Sequence, residues 1–408
     1  MNLHTLKTDK FKTVYIRVDF RRKIKKDEIT KRNILADILN RGTKKYQTER
    51  EMVIQSDELY GANYSYNVCS SGNYSIMSFS ISSLSDKYTE EGNLEKVIQF
   101  LMDIIFDPNV NNNSFSDKTL NLSKNFIKKY IDDIYDSPKR YAMTRIREVM
   151  SPDTVFSFHQ DGYIEDLDKI DGKNLYQYYL DVLKKDVVDI YVVGKYGNID
   201  ILNKYFNIKN HKKLNHIIEH KKYRLKLKTV IEERNVRQSI FVLGFKIKDM
   251  DSFEMQYVAN IYSFILGGSP DSKLFTNVRE KNSLCYSISS FISPVSNSMF
   301  VSAGIDKKDY KKVLNETLKQ IESIKNGDFS LDDIKSAKTT YKTSLKEIND
   351  SLVSIASSMA SLEYLMYDSL DERIKKIDLV TKEDIIKFSN KIKLDSCYLL
   401  KGVLDEKN

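Results

Sequence analysis

The stretch Leu266-Gly267-Gly268-Ser269-Pro270-Asp271-Ser272-Lys273-Leu274-Phe275 runs on into Val278-Arg279-Glu280-Lys281-Asn282-Ser283-Leu284-Cys285-Tyr286-Ser287. Its punctuation gives three elements in a row. The glycine pair ends a helix predicted over residues 254–266, because glycine supplies the stop that a helix C-terminus needs. A short helix is expected over 274–280, and a strand over about 283–291.

Working outward, a strand is expected at 238–246, where Ile240-Phe241-Val242-Leu243 forms an apolar run. A further strand at 299–305 and a helix at 310–325 follow the central stretch. Long helical segments at 335–346 and 351–366 and a late strand at 396–400 close the chain. The first half has the same order. A strand at 12–20 alternates through Val14, Ile16 and Val18, and a helix at 30–40 ends before Gly42. A second helix at 48–59 starts with Thr48 and Glu51 in capping-box spacing. Strands at 63–69 and 74–82 meet through Gly72-Asn73, a helix at 93–106 precedes Asp107-Pro108, and a late strand lies at 187–193. One α+β unit is therefore used twice, legible as an order of elements and not as residue identity. The domains expected are 1–206 and 229–408, joined by a hydrophilic linker at 207–228 rich in Lys, His and Asn.

The chain is long enough for two cores: 408 residues, 41% hydrophobic and 30% charged. Net charge is +8, but 57 acidic residues interleave with 65 basic ones. No basic block is present outside the linker, which argues against nucleic-acid binding. Three cysteines, Cys69, Cys285 and Cys397, stand far apart with no CxxC pair, as in proteins of a reducing compartment. No run of about 20 apolar residues and no signal-peptide core occur, so a cytoplasmic protein without a membrane span is expected.

The glycine turn, short helix and R-E-K-x-x-L-x-Y stretch of 266–287 resemble the second-domain signature of the insulinase/pitrilysin family of zinc peptidases. Lys273 departs from it, since many members carry Arg there. A second matching piece is Arg41-Gly42-Thr43-Lys44-Lys45-Tyr46 with Thr48-Glu49-Arg50-Glu51, like the turn that follows the family's zinc helix. The resemblance implies a clamshell of two similar domains, each an antiparallel-rich sheet with helices packed on it.

In active members the helix before that turn carries H-x-x-E-H, with two zinc-binding His and a Glu that activates water. Here the corresponding residues are Asn33, Ile34, Leu35, Ala36 and Asp37. Asn33 and Asp37 stand for the two His, and Ala36 for the base. The third ligand, a Glu on a later helix, corresponds to Lys129 or Tyr130. Both His, the base and the third ligand are missing together, whereas a catalytic zinc takes about three protein ligands. The methyl group of Ala36 cannot accept a proton. No zinc is expected in this chain.

A literal H-x-x-E-H does occur at His216-Ile217-Ile218-Glu219-His220. It lies in the hydrophilic linker between Lys212-Lys213 and Lys221-Lys222, whose charges oppose a cation. The motif carries chemistry only with a packed helix, a third ligand and a pocket. It reads as a solvated linker segment.

Arg279 and Tyr286 match the family's Arg/Tyr pair, which holds the substrate main chain near the scissile bond. A guanidinium offers fixed donors to carbonyl oxygens, and a phenol can donate to an oxyanion. Tyr60-Gly61-Ala62-Asn63-Tyr64 leads into a strand that in family members can pair with an extended peptide, and Tyr176-Gln177-Tyr178-Tyr179 reads as helix packing. The resemblance implies a non-catalytic subunit that binds peptide and pairs as a heterodimer with a zinc-bearing sister chain. The alternatives are a structural scaffold of the same fold and, more remotely, a lone peptidase using the linker motif.

Overall fold

The computed structural model describes residues 2–206 and 226–403. The first half supplies β1 (Asn2–Lys7), β2 (Thr13–Lys23), β3 (Asn63–Ser71), β4 (Tyr74–Leu84) and β5 (Val187–Gly194). The second supplies β6 (Lys228–Arg234), β7 (Ser239–Ile247), β8 (Ser287–Ser293), β9 (Ser298–Ile305) and β10 (Ile392–Gly402). Each set makes a five-stranded sheet, ordered β1-β5-β2-β4-β3 in one and β6-β10-β7-β9-β8 in the other. In both, the first strand pairs in parallel with the last, and every other pairing is antiparallel. The repeat is thus a repeat of topology, strand for strand, in a mixed α+β fold.

The longer helices of the first half are α1 (Lys26–Asn40), α2 (Glu49–Glu58), α3 (Asn93–Phe106), α4 (Asp117–Asp136), α5 (Pro138–Met150) and α6 (Gly172–Lys185). In the second half α7 is a run of three pieces, Glu254–Val258, Ala259–Ser263 and Phe264–Gly268. It is followed by α8 (Phe275–Lys281), α9 (Tyr310–Lys325), α10 (Leu331–Glu347) and α11 (Leu352–Leu365).

Three details differ from the sequence reading. Helix α1 starts at Lys26, a turn earlier than expected, with Asp27 and Glu28 in its first turn favouring the positive end of the helix dipole. Strand β8 starts at Ser287 and not near 283. Ser283 takes a left-handed φ of 49°, and Ser283 N and Leu284 N donate to the carbonyls of Arg279 and Val278 at 3.0 Å. Those bonds close α8 before the chain enters the sheet. The parallel edge strands β1 and β6 were not anticipated. Asn2–Lys7 and Lys228–Arg234 are polar, partly exposed segments without a full apolar face.

The chain forms two compact units. The first comprises residues 2–132, 159–206 and Ile348–Met366; the second comprises 133–158, 226–347 and 367–403. Each therefore includes a segment from the other half of the sequence. In the first unit, Val18, Phe20, Phe79 and Ile190 meet Ile34, Leu35 and Ile38 of α1 and Leu101 and Ile105 of α3. Strand alternation sends Tyr15, Tyr191 and Val193 to the opposite face. There α11 covers them with Ile355, Ala356, Ala360 and Tyr364. In the second unit α5 plays the same part, with Ala142, Ile146 and Met150 on Ile240, Val242, Phe300, Tyr398 and Leu400. Gly244 makes that packing possible, since a Cβ there would overlap Met150 Sδ.

A buried polar network lies under α11. Tyr364 Oη donates to Asp19 Oδ2 at 2.5 Å, and Arg17 Nε to Asp19 Oδ1 at 2.6 Å. Arg21 Nε donates to Asp189 Oδ2 at 2.8 Å, and Asn2 Nδ2 to Asp189 Oδ1 at 2.7 Å. Among the described residues no helix is long and apolar enough to cross a membrane. The cysteines are free; Cys285 and Cys397 are buried and Cys69 is half-buried.

Candidate functional site

Helix α1 places Asn33 and Asp37 one turn apart on a single face. Asn33 Nδ2 donates to Ile29 O at 3.0 Å and to Gln160 O at 2.9 Å. Asp37 accepts from Arg41 Nε at 2.6 Å on Oδ2, and from Tyr66 Oη at 2.8 Å on Oδ1. Arg41 also pairs with Glu49 and lies over the Phe126 ring, 5.5 Å from its centroid. Burial pushes the Tyr66 phenol well above its ordinary pKa, and the Asp37 charge adds to the rise. Burial works against the Arg41 guanidinium, but the hydrogen bond and charge of Asp37, then Glu49, carry its pKa upward. Ala36 is fully buried in the apolar core.

This donor set does not fit a catalytic zinc. Both Asp37 oxygens are already used, and the Asn33 amide is held by two carbonyls. A guanidinium stands in hydrogen-bond contact where a second cation would have to approach. The residues weighed as a third ligand, Lys129 and Tyr130, are both exposed, and the Tyr130 ring rests on Phe126 at 5.0 Å. No group of three or more His, Cys, Asp or Glu able to hold a metal ion occurs among the described residues. The motif His216–His220 lies outside the described residues. Sequence reasoning missed the role of Arg41, although its i,i+4 spacing from Asp37 was a usable signal.

The turn after α1 supports the same corner. Thr43 N donates to Tyr46 O at 2.7 Å, and Tyr46 N to Thr43 Oγ1 at 2.9 Å. The capping box at Thr48 and Glu51 is formed in both directions and starts α2. Tyr60 and Gly61, with φ of 59° and 67°, turn the chain into β3. Tyr64 packs edge-on against Phe100 at 5.4 Å. Of the tyrosines assigned to helix packing, Tyr178 and Tyr179 are buried on α6, and Tyr179 Oη donates to Ile105 O at 3.0 Å.

In the second unit the glycine turn brings α7 against β8. A Cβ on Gly267 would come within 2.8 Å of Leu274 Cδ1 and 3.0 Å of Ser290 N, so the close approach requires glycine. Lys273 reaches Asp328 at 3.6 Å. Arg279 is exposed near the end of α8, its guanidinium 4.5 Å from the centroid of Phe275, one turn earlier. Tyr286 is 56% exposed, and its N–H donates to Gly304 O at 2.8 Å, which anchors it beside β9. Between them burial pushes the Cys285 thiol up to about 11, with the nearby Arg279 charge acting in the opposite direction. Lys308, unnoticed in the sequence, lies within electrostatic reach of the Tyr286 phenol. Asn33, Ala36, Asp37 and Tyr130 thus belong to one unit, and Arg279 and Tyr286 to the other.

Each sheet ends in an unguarded edge. Among the described residues, strand β3 pairs with β4 alone and β8 with β9 alone. Neither carries a charged residue or a proline, the usual devices that protect an edge. Such edges can accept an extended segment by main-chain pairing.

The family described as Peptidase M16 inactive domain matches residues 169–341. A Bacillus subtilis (strain 168) protein named as a probable inactive metalloprotease, YmfF, is 30% identical over 408 residues, covering 98% of this chain and 96% of its own. The chain belongs to the M16, or insulinase/pitrilysin, peptidase family. Among solved structures, a conserved protein from Enterococcus faecalis V583 superposes on this M16 chain with a TM-score of 0.91 at 26% identity, covering 98% of this chain and 96% of that one. A peptidase M16 inactive domain from Pseudomonas fluorescens shares the fold, with a TM-score of 0.78 at 16% identity over 100% and 97% of the two chains. The M16 chain described here is of the inactive, peptidase-like type.

Proposed function

We propose that this chain is the non-catalytic subunit of a cytoplasmic zinc peptidase. It binds peptide and lends Arg279 and Tyr286 to a zinc-bearing sister chain in a heterodimer. One contrast carries the reading: Asp37 is fully engaged by Arg41 and Tyr66, whereas Arg279 and Tyr286 remain exposed. The first corner has the chemistry of a closed structural network. The second presents a permanent cation and a phenol that solvent or substrate can reach, the donors needed by a peptide carbonyl that develops negative charge. The unguarded edges of β3 and β8 supply a sequence-tolerant way to hold a peptide main chain.

The test is reconstitution. This chain is mixed with an M16 chain from the same cell that retains H-x-x-E-H, and co-elution and peptide hydrolysis are measured. The expected result is a complex whose hydrolysis exceeds that of either chain alone. A complex with no gain in hydrolysis would favour the scaffold reading, and absence of any complex would remove the subunit reading.

A further inference from the structure

Helix α10 carries a row of lysines. Lys335, Lys338 and Lys342 follow one another at helical spacing, so they share one face with neighbouring Cβ atoms about 5–6 Å apart. Each stands next to a buried residue, Ile334, Ala337 or Tyr341, and Lys338 and Lys342 are half-buried themselves. A further lysine, Lys382, opens helix α12 (Lys382–Asn390). These four side chains line one cavity of about 670 Å³, a size typical of small-molecule sites.

The cavity holds more positive charge than its own carboxylates offset. Against the four lysines it presents only Asp378 and the exposed Glu383. Asp378 is engaged by Lys342, whose Nζ donates to Oδ1 at 2.7 Å and to Oδ2 at 2.6 Å. Lys338 Nζ donates to the Asp378 carbonyl at 2.9 Å, and Lys382 Nζ to the Phe329 carbonyl at 2.7 Å. A carbonyl satisfies a donor but leaves the full charge in place. Among the described residues neither of these lysines forms an ion pair, and the Lys335 ammonium has no hydrogen-bond or ion-pair partner. Burial holds the Lys338 pKa below its ordinary value, and the Lys342 charge adds to the fall against the pull of Asp378.

We propose that this cavity binds an oligophosphate group, free or as the phosphate chain of a nucleotide. Linked phosphates concentrate several negative charges and many acceptor oxygens in a compact body. That is the complement of ammonium groups that converge from two helices. Lysine suits the task as a point charge with rotatable donors. Lys335, Lys338 and Lys382 gain the counter-charge they lack. The buried Ile334 and Val380, which also line the cavity, keep part of its wall apolar and strengthen the attraction. None of these residues belongs to the Asp37 or the Arg279 corner, so the site stands or falls apart from the subunit reading.

The experiment is calorimetric titration of the full chain at low salt with tripolyphosphate, ATP and citrate. Tripolyphosphate should bind about tenfold tighter or more than citrate, whose charges sit on separate carboxylates, and should raise the melting temperature. Lys335→Gln combined with Lys338→Gln should weaken tripolyphosphate binding about tenfold. Glutamine keeps a donor for the Asp378 carbonyl, so the unbound variant should melt within a few degrees of wild type. Lys128→Gln combined with Lys129→Gln removes the same charge from α4 and should change the affinity by about twofold at most. ATP binding tighter than tripolyphosphate would support the site and identify a nucleotide as the source of the phosphates; equal or weaker ATP binding would support it with a free oligophosphate. Equal affinity for citrate and tripolyphosphate, or an equal loss in the two lysine pairs, would overturn the site and leave an adventitious response to net charge. Absence of tripolyphosphate binding would overturn it outright.

Discussion

Arg41 Nε donates to Asp37 Oδ2 at 2.6 Å, one turn along the helix that carries the zinc motif in active relatives. The Arg41 guanidinium neutralises the Asp37 carboxylate, at the place where the family resemblance would put a metal ligand, and Tyr66 completes its hydrogen bonding. The corner is stable as built, because each polar group has a partner of opposite demand.

Zinc should therefore bind poorly even when its ligands are partly restored. Asn33→His with Asp37→His would supply two imidazoles but no third ligand, and would leave the Arg41 charge in the same corner. Mass-spectrometric metal analysis after a chelator wash should find less than a tenth of an equivalent of zinc at this site in wild type and in the double variant. One tightly held zinc per wild-type chain, lost on Asp37→Ala, would refute the view that Arg41 has replaced the metal.

Asp37→Ala should destabilise the fold. It strands a half-buried guanidinium and a half-buried phenol in one step. Removing one partner of such a group costs about 2–3 kcal/mol, below the range for a fully buried pair because Arg41 is partly solvated. Thermal melts should show a drop of several degrees, and Arg41→Met added to Asp37→Ala should recover part of it by removing the unpaired charge.

Much of this was readable beforehand. The repeated order of elements gave two like units because apolar periodicity is local and survives in each copy. The Leu266–Ser287 stretch stood out because Gly267-Gly268 and the charged residues Arg279-Glu280-Lys281 punctuate it. The pairing of α5 and α11 with the sheet from the other half of the sequence left no local trace. An amphipathic helix shows that it has a buried face but not which sheet buries it. Strand β8 begins late for a similar reason. The left-handed turn at Ser283 is set by bonds back to Val278 and Arg279, and Ser283-Leu284 carries no glycine to announce it.

The interleaving predicts that the two halves of the sequence cannot be separated cleanly. A fragment of residues 1–206 would lack α11, exposing Tyr15, Tyr191 and Val193 and the Asp19 and Asp189 network. It should aggregate or bind a hydrophobic dye when expressed alone. Supplying 348–366 as a peptide or by fusion should improve its solubility. A soluble fragment with a sharp melting transition and no need of that segment would contradict the role given to α11.

Acid should also weaken the same network. Burial opposes the Asp189 carboxylate, but hydrogen bonds from His4 and Asn2 and the Arg21 charge outweigh it and hold its pKa below the ordinary value of 3.8. A lowered folded-state pKa means stability that is present above the unfolded value and is lost as pH falls through the folded one. Stability should therefore decline as the pH is taken below about 4. Asp189→Asn should lower stability at pH 7 and flatten the acid limb of the curve. An unchanged acid limb in that variant, measured by denaturant melts at stepped pH, would assign the loss to other carboxylates such as Glu232.

Arg279 and Tyr286 provide the sharpest functional test, because their environments separate catalysis from stability. Arg279 is exposed with its guanidinium over Phe275, and more than half of Tyr286 is open to solvent. Arg279→Ala and Tyr286→Phe should therefore leave the melting temperature nearly unchanged. In a two-chain assay with the proposed zinc-bearing sister the same changes should be severe. Loss of the guanidinium removes charge-assisted bonds to a substrate carbonyl, and if these strengthen in the transition state the hydrolysis rate should fall about 10- to 100-fold. Loss of the Tyr286 hydroxyl removes one donor to the oxyanion, an effect on the order of 100-fold. Arg279→Lys should rescue only part of the activity, because an ammonium keeps the charge but not the planar fork. The decisive comparison is kcat/KM against melting temperature for all three variants in the reconstituted pair. Cleavage that survives Arg279→Ala and Tyr286→Phe undiminished would leave both as surface residues of a scaffold.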